Sequence, residues 1–256
     1  MRNLNNILWL NGVFLTVEQT GIDPTDRGFT LGDGVFDTML AMNGAPVLAK
    51  EHFTRLHRHA SVLKIPVPYT AEELTETAIR LLQDNTFTTG RYALRTTVTR
   101  GPGARGLTPS EAPSPTVLMT ATPAPDPDSL PPLRAIIAQV TCRNEHSPLS
   151  RIKSLNYADN LLALLEARDK GADDAVLLNT AGHVTCTTTG NLFIEEKGVL
   201  TTPPLTDGVM DGVTRTALIE ERGVIEESFG PQQLLKADAV YVTNSVVGMR
   251  RLLPLS

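Results

Sequence analysis

Ser150-Arg151-Ile152-Lys153-Ser154-Leu155-Asn156-Tyr157 sets one lysine among small and polar residues, with an asparagine and a tyrosine just beyond it. A helical pattern follows at once over 158–170, with Leu161, Leu162 and Leu165 on one side and Gly171 as the stop. Lys153 is therefore expected in the connection that precedes a helix. A partly desolvated lysine amine loses its charge and becomes a nucleophile towards carbonyl carbons. Taken alone, a lysine at such a place is an ordinary solvated loop residue. The rest of the chain argues otherwise.

Downstream, 175–178, 191–194 and 199–202 read as strands, with turns at Ala181-Gly182 and Lys197-Gly198. A helix over 213–222 stops at Gly223, and 239–243 is the last strand. Upstream, 133–140 is a β-branched strand, and 122–132 carries five prolines and two aspartates, the composition of an interdomain linker. Before it, 91–99 and 115–121 read as strands around the glycine-rich loop Arg100-Gly101-Pro102-Gly103-Ala104-Arg105-Gly106. Helices are expected over 51–63 and 71–83, the second opened by Thr70 and Glu73 in a capping-box pattern. Asn11-Gly12 and Asn43-Gly44 mark hairpin turns. Strands and helices mix without strict βαβ alternation, which predicts an α+β chain with an N-terminal domain over 1–121, the linker, and a C-terminal domain over 133–256.

Composition narrows the function. At 256 residues the chain can bury one large core or two modest ones. A net charge of -5 without a basic run argues against a nucleic-acid surface. No apolar run is long enough to cross a bilayer, and Met1-Arg2-Asn3-Leu4-Asn5-Asn6 lacks the apolar core of a signal peptide, so a cytoplasmic protein is expected. Cys142 and Cys186 are too few and too far apart for a disulfide framework or a zinc site. His52, His57 and His59 share one expected helix, but spacings of five and two do not stack them; they read as surface or cofactor-proximal residues, with no metal.

Several corners can hold an anion. Asp211-Gly212-Val213-Thr214-Arg215 opens a helix whose first N–H groups have no intrahelical partner. Thr243-Asn244-Ser245 ends a strand with hydroxyl donors, and Arg55 can add a forked contact. Each alone reads as plain capping or a surface arginine. Together with a carbonyl-reactive lysine they point to an aldehyde cofactor with a phosphate handle, a description that pyridoxal phosphate fits.

The chain resembles the class IV (fold-type IV) pyridoxal-phosphate enzymes, a group holding branched-chain aminotransferases, D-amino-acid transaminases and aminodeoxychorismate lyase. The resemblance covers nearly the whole length. It is carried by Gly32-Asp33-Gly34-Val35-Phe36, Glu51-His52-Phe53-Thr54-Arg55-Leu56, Lys153-Ser154-Leu155-Asn156-Tyr157, Gly190-Asn191-Leu192-Phe193, Thr202-Pro203-Pro204 and Gly212-Val213-Thr214-Arg215. It implies that Lys153 binds the cofactor covalently and later moves the proton. Arg55, the amides of Val213 and Thr214, and Ser245 would grip the phosphate, and Tyr157 would approach the ring hydroxyl. The implied fold is a small N-terminal α+β domain and a larger, barrel-like C-terminal domain with the cofactor between them. A homodimer is implied, the N-terminal loops of one subunit completing the other's site.

One position departs from the family pattern. Where the family carries a glutamate that pairs with the cofactor's ring nitrogen, five residues before Asn191, this chain has Cys186. A thiol is a poorer partner and mostly neutral near pH 7. The enzyme is then slower, or favours chemistry needing less carbanion stabilisation, or uses a thiolate against a protonated ring; a small buried residue with water at the nitrogen is the plainer alternative. For the reaction, the 100–106 loop resembles the Arg-Gly-x-x-x-Arg loop of D-amino-acid transaminases and aminodeoxychorismate lyases, which makes Arg105 the carboxylate-binding residue, with Phe36 and Thr38 also on the substrate side. Gly106 and Leu107 stand where D-specific transaminases have asparagine and histidine, which favours a lyase releasing pyruvate and 4-aminobenzoate, a folate precursor. A transaminase of D-amino-acid or branched-chain type is the alternative, and a weakly active cofactor-binding protein the third reading.

Overall fold

The computed structural model describes residues 7–255; the reading of Met1 to Asn6 as lacking a signal core falls outside them. The chain divides into two units, Met1–Pro125 together with Lys153–Asn156, and Asp126–Ile152 together with Tyr157–Ser256. The lysine segment thus packs with the N-terminal unit, whereas the sequence reading assigned it to the C-terminal domain. Its backbone partners, given below, are the cause. The proline-rich stretch is also less loose than composition suggests, because a strand continues through Pro123 and a single 3-10 turn forms at Pro127–Ser129.

The N-terminal unit is an antiparallel sheet with helices packed on it. β1 (Ile7–Leu10) and β2 (Val13–Thr16) form the hairpin expected at Asn11-Gly12, both with positive φ. After the short α1 (Arg27–Leu31) comes β3 (Gly34–Met42), then β4 (Ala45–Pro46), α2 (Ala49–Val62), α3 (Ala71–Asp84), β5 (Arg91–Thr99) and β6 (Thr116–Pro123). The sheet order is β2-β1-β6-β5-β3-β4. β3 and β5 stay in register along their whole length, from Gly34 opposite Thr99 to Met42 opposite Arg91. α3 starts on the capping box read from sequence: the Thr70 hydroxyl accepts from the Glu73 amide at 3.1 Å and the Glu73 carboxylate accepts from the Thr70 amide at 2.7 Å. α2 buries Phe53, Leu56 and Ala60, as its spacing predicts, and also His52, Arg55 and His59. Residues 52 and 59 are seven apart, two full turns, and share a buried face, so of the two expectations for these histidines the surface one fails for His52 and His59.

The C-terminal unit is a barrel-like sheet. Its elements are β7 (Leu133–Ile137), α4 (Ala158–Asp169), β8 (Asp174–Leu178), β9 (Val184–Thr187), β10 (Asn191–Glu196), β11 (Val199–Thr202), α5 (Val213–Arg222), β12 (Ile225–Glu226), α6 (Pro231–Lys236), β13 (Ala239–Asn244) and β14 (Gly248–Pro254). Strand order β12-β11-β10-β13-β14-β7-β8-β9 closes on itself through an added β9–β10 pairing. The chain therefore does not end its sheet at 239–243; β14 pairs antiparallel with β13 and parallel with β7. Arg250, Arg251 and Pro254 hid that strand from a hydrophobic reading. In α4 the expected face is also reversed. Leu161, Leu162 and Leu165 are exposed, while Asn160, Ala163 and Ala167 are buried. Ala163 and Ala167 pack with Ala172, Ala175 and Leu177, where small side chains on both surfaces allow close approach. No described helix is long and apolar enough to cross a membrane.

Candidate active site

Lys153 is held by its backbone between two elements of one unit, α2 and β3. Its amide donates to His59 Nδ1 at 3.1 Å, and its carbonyl accepts from the Phe36 amide at 2.9 Å. Ser154 bridges Val35, and the Leu155 amide donates to the Gly34 carbonyl at 2.9 Å. The lysine segment is thus a short extra strand on the free end of β3. Gly34 permits it: a Cβ there would lie 2.5 Å from the Val98 carbonyl and 2.7 Å from a Leu155 methyl.

The half-buried Lys153 side chain ends 4.2 Å from the centroid of the Phe36 ring. The Arg95 guanidinium lies 3.7 Å from the same centroid. Two cations on one ring make a positively charged corner around the candidate nucleophile. Arg95 escaped the sequence reading. The signal was its position, directly opposite Thr38 in the β3–β5 register, where every neighbour on β5 from Thr96 to Thr99 is uncharged. Thr38 itself is partly buried on β3.

Arg55 is buried, not a surface residue. Its Nε and Nη2 each donate to the Asp37 carboxylate at 2.8 Å, and His52 Nδ1 lies 2.8 Å from the same carboxylate. Burial by itself would raise the Asp37 pKa; the Arg55 charge and the His52 hydrogen bond outweigh it and hold the carboxyl below the ordinary value. One edge of the Arg55 guanidinium, Nε with Nη2, is therefore turned to Asp37.

The other unit gathers a second set of residues. α5 is capped by Gly212 without a side-chain hydrogen bond, so the Val213 and Thr214 amides open the helix as orphan donors. The Thr214 hydroxyl lies 3.5 Å from that of Ser245. Asn191 Nδ2 donates to the Met210 carbonyl at 2.8 Å and fixes the approach to the helix. Arg215, also within the motif, is structural: it is buried, donates to the Pro203 carbonyl at 2.9 Å and pairs with Glu226. Asn191 stands opposite Cys186 on one side and opposite Thr243 on the other, which puts those three side chains on one face of the sheet. Cys186 is buried beside Ala163 and Leu177. The Thr243 hydroxyl is buried without a hydrogen-bond partner among the described residues. An orphaned hydroxyl, uncapped helix amides and a serine on neighbouring elements form a polar surface suited to a phosphorylated ring. Tyr157 is the residue before α4 and is partly buried.

Arg105 is exposed on the 100–107 loop. Arg100, which opens the loop, is buried and holds Asp33 through Nε at 2.7 Å and Nη2 at 3.0 Å.

The family described as Amino-transferase class IV matches residues 34–253. A protein of Methanocaldococcus jannaschii assigned as a branched-chain-amino-acid aminotransferase is 34% identical, the match covering 93% of this chain and 84% of the relative. The aminodeoxychorismate lyase of Bacillus subtilis is 29% identical, covering 94% and 84%. The crystal structure of a Legionella pneumophila protein assigned as a 4-amino-4-deoxychorismate lyase superposes with a TM-score of 0.86 at 32% identity, covering 94% of this chain and 89% of that one.

Proposed function

The chain belongs to the class IV aminotransferases, enzymes that use pyridoxal phosphate, and on that premise we propose that it is an aminodeoxychorismate lyase releasing pyruvate and 4-aminobenzoate. The observation that carries this reading is the loop at 100–107. It offers one exposed guanidinium, Arg105, from an anchored backbone, and it continues with Gly106 and Leu107, which leave no second polar side chain beside it. One exposed cation followed by a glycine and an apolar side chain suits a carboxylate-bearing ring better than a small polar amino acid.

Bound pyridoxal phosphate supplies an electron-poor ring that stabilises negative charge on the carbon bearing the substrate nitrogen. Lys153 Nζ would hold the cofactor's aldehyde carbon and, when displaced by the substrate amine, would accept the proton from the substrate carbon, the electron pair leaving with the C–O bond to the pyruvyl group, which takes up a proton as it departs as pyruvate. Phe36 and Arg95 orient the Lys153 amine, and the charge of Arg95 favours an anionic substrate near it. Arg55, the Val213 and Thr214 amides, and Ser245 would bind the phosphate; Tyr157 would bind the ring hydroxyl; Cys186 would take the ring-nitrogen position. Phe36 and Thr38 contact substrate, and Arg105 binds its carboxylate. The active form is a homodimer.

A second reading, transfer of the amino group to a 2-keto acid, is favoured by the 34% identity to the assigned branched-chain enzyme. Purified holoenzyme given aminodeoxychorismate with no amino acceptor decides: 4-aminobenzoate and pyruvate in equal amounts support the lyase. Amine transfer from a D- or L-amino acid, without 4-aminobenzoate formation, replaces it with the transaminase.

A further inference from the structure

We propose that Arg27 is a positioning residue for Arg105: it latches the 100–107 loop onto the start of α1 and so presents the Arg105 guanidinium to a substrate carboxylate. The second half of this inference rests on the Arg105 role given above.

Arg27 is buried, and all three of its guanidinium nitrogens are engaged. Nε donates to Asp33 Oδ2 at 2.8 Å, Nη1 to the Gly106 carbonyl at 3.0 Å and Nη2 to the Leu107 carbonyl at 2.9 Å. The two carbonyls belong to the residues directly after Arg105. The backbone adds two more ties, from the Arg27 amide to the Gly101 carbonyl at 2.9 Å and from the Gly103 amide to the Thr25 carbonyl at 3.2 Å. A Cβ at Gly103 would sit 2.8 Å from Arg27 Cδ, so the loop lies along the arginine's stem.

The post to which the latch is fastened is itself tied down by several hydrogen bonds. Asp33 is shared with Arg100, whose Nη2 also donates to the Leu63 carbonyl at 2.6 Å. Neighbouring Asp26 accepts from the Thr99 hydroxyl at 2.9 Å, the Thr116 hydroxyl at 2.6 Å and the Gly28 amide at 2.7 Å. Against this frame Arg105 is the loop's exposed charged side chain. Fixing the backbone just after it restricts where its long side chain can place charge. Only a planar guanidinium reaches one carboxylate and two successive carbonyls at once; a lysine at 27 cannot.

Two measurements on the holoenzyme test this, using Arg27→Met, Arg27→Lys, Arg105→Gln and the double variant Arg27→Met/Arg105→Gln. Trypsin cuts after Arg105. The rate of that cut, normalised to cleavage elsewhere in the same chain, should rise about tenfold in both Arg27 variants; an unchanged ratio overturns the latch. The KM for aminodeoxychorismate should rise about tenfold in Arg27→Met with kcat held, and Arg27→Met should add nothing once Arg105 is Gln. Full additivity overturns the positioning role. An unchanged KM in Arg105→Gln overturns the Arg105 reading instead, and the presenting half of the proposal with it, while the trypsin ratio still decides the latch.

Discussion

Asp37 and Arg55 form a fully internal pair, joined by two hydrogen bonds of 2.8 Å, with neither side chain more than 4% exposed. Removing one partner of such a pair strands the other's charge away from water. Asp37→Asn should therefore lower stability by about 3 kcal/mol at neutral pH. The native carboxyl titrates below its unfolded value, so its contribution is complete above that value and fades as pH falls through the native one. Urea denaturation should show the gap between wild type and Asp37→Asn closing only below about pH 4. A constant gap down to strong acid would mean that the ionised pair is not its source.

Lys153→Ala should abolish the near-visible absorbance band of the cofactor-bound protein and cut turnover by at least about 100-fold. The backbone contacts of residue 153 use its amide and carbonyl, so circular dichroism should be unchanged. Persistence of the band would place the covalent link on another lysine.

At Cys186 the structure sets apo and holo behaviour against each other. The thiol is 8% exposed among alanines, so an unpaired glutamate there should destabilise the apoprotein by about 2 kcal/mol. If the cofactor's ring nitrogen becomes its partner, pyridoxal phosphate should restore the loss, and transamination should quicken. Melting curves of Cys186→Glu with and without cofactor check this; an equal deficit in both would remove the ring nitrogen from that neighbourhood.

The reversed face of α4 makes a plain stability test. Ala163 is fully buried, so Ala163→Leu should overpack the helix against its sheet and cost about 1–3 kcal/mol. Leu161 is 59% exposed, and Leu161→Ala should change stability by no more than about 0.5 kcal/mol. Denaturant midpoints showing the opposite order would mean that the leucines are the packed side.

The sequence by itself determined the α+β class, the hairpins, the start of α3, the start and stop of α5, and the set of motifs around Lys153, because each follows from short-range chemistry. Glycine and asparagine admit positive φ, a threonine caps a helix, and a lysine among small residues stands out. Tertiary structure decided what those residues face. Which side of α4 is buried depended on the alanines of the surface it meets, and Arg55 became an internal ion-pair partner because Asp37 lies across from it on another element. The Phe36–Arg95–Lys153 corner is likewise assembled from residues far apart in the chain. Lys153 left the unit of its sequence neighbours because β3 had an unpaired end to offer its backbone. Hydrogen-bond partners supplied from a distance cannot be read from local pattern, and they are what turned a list of motifs into an arrangement.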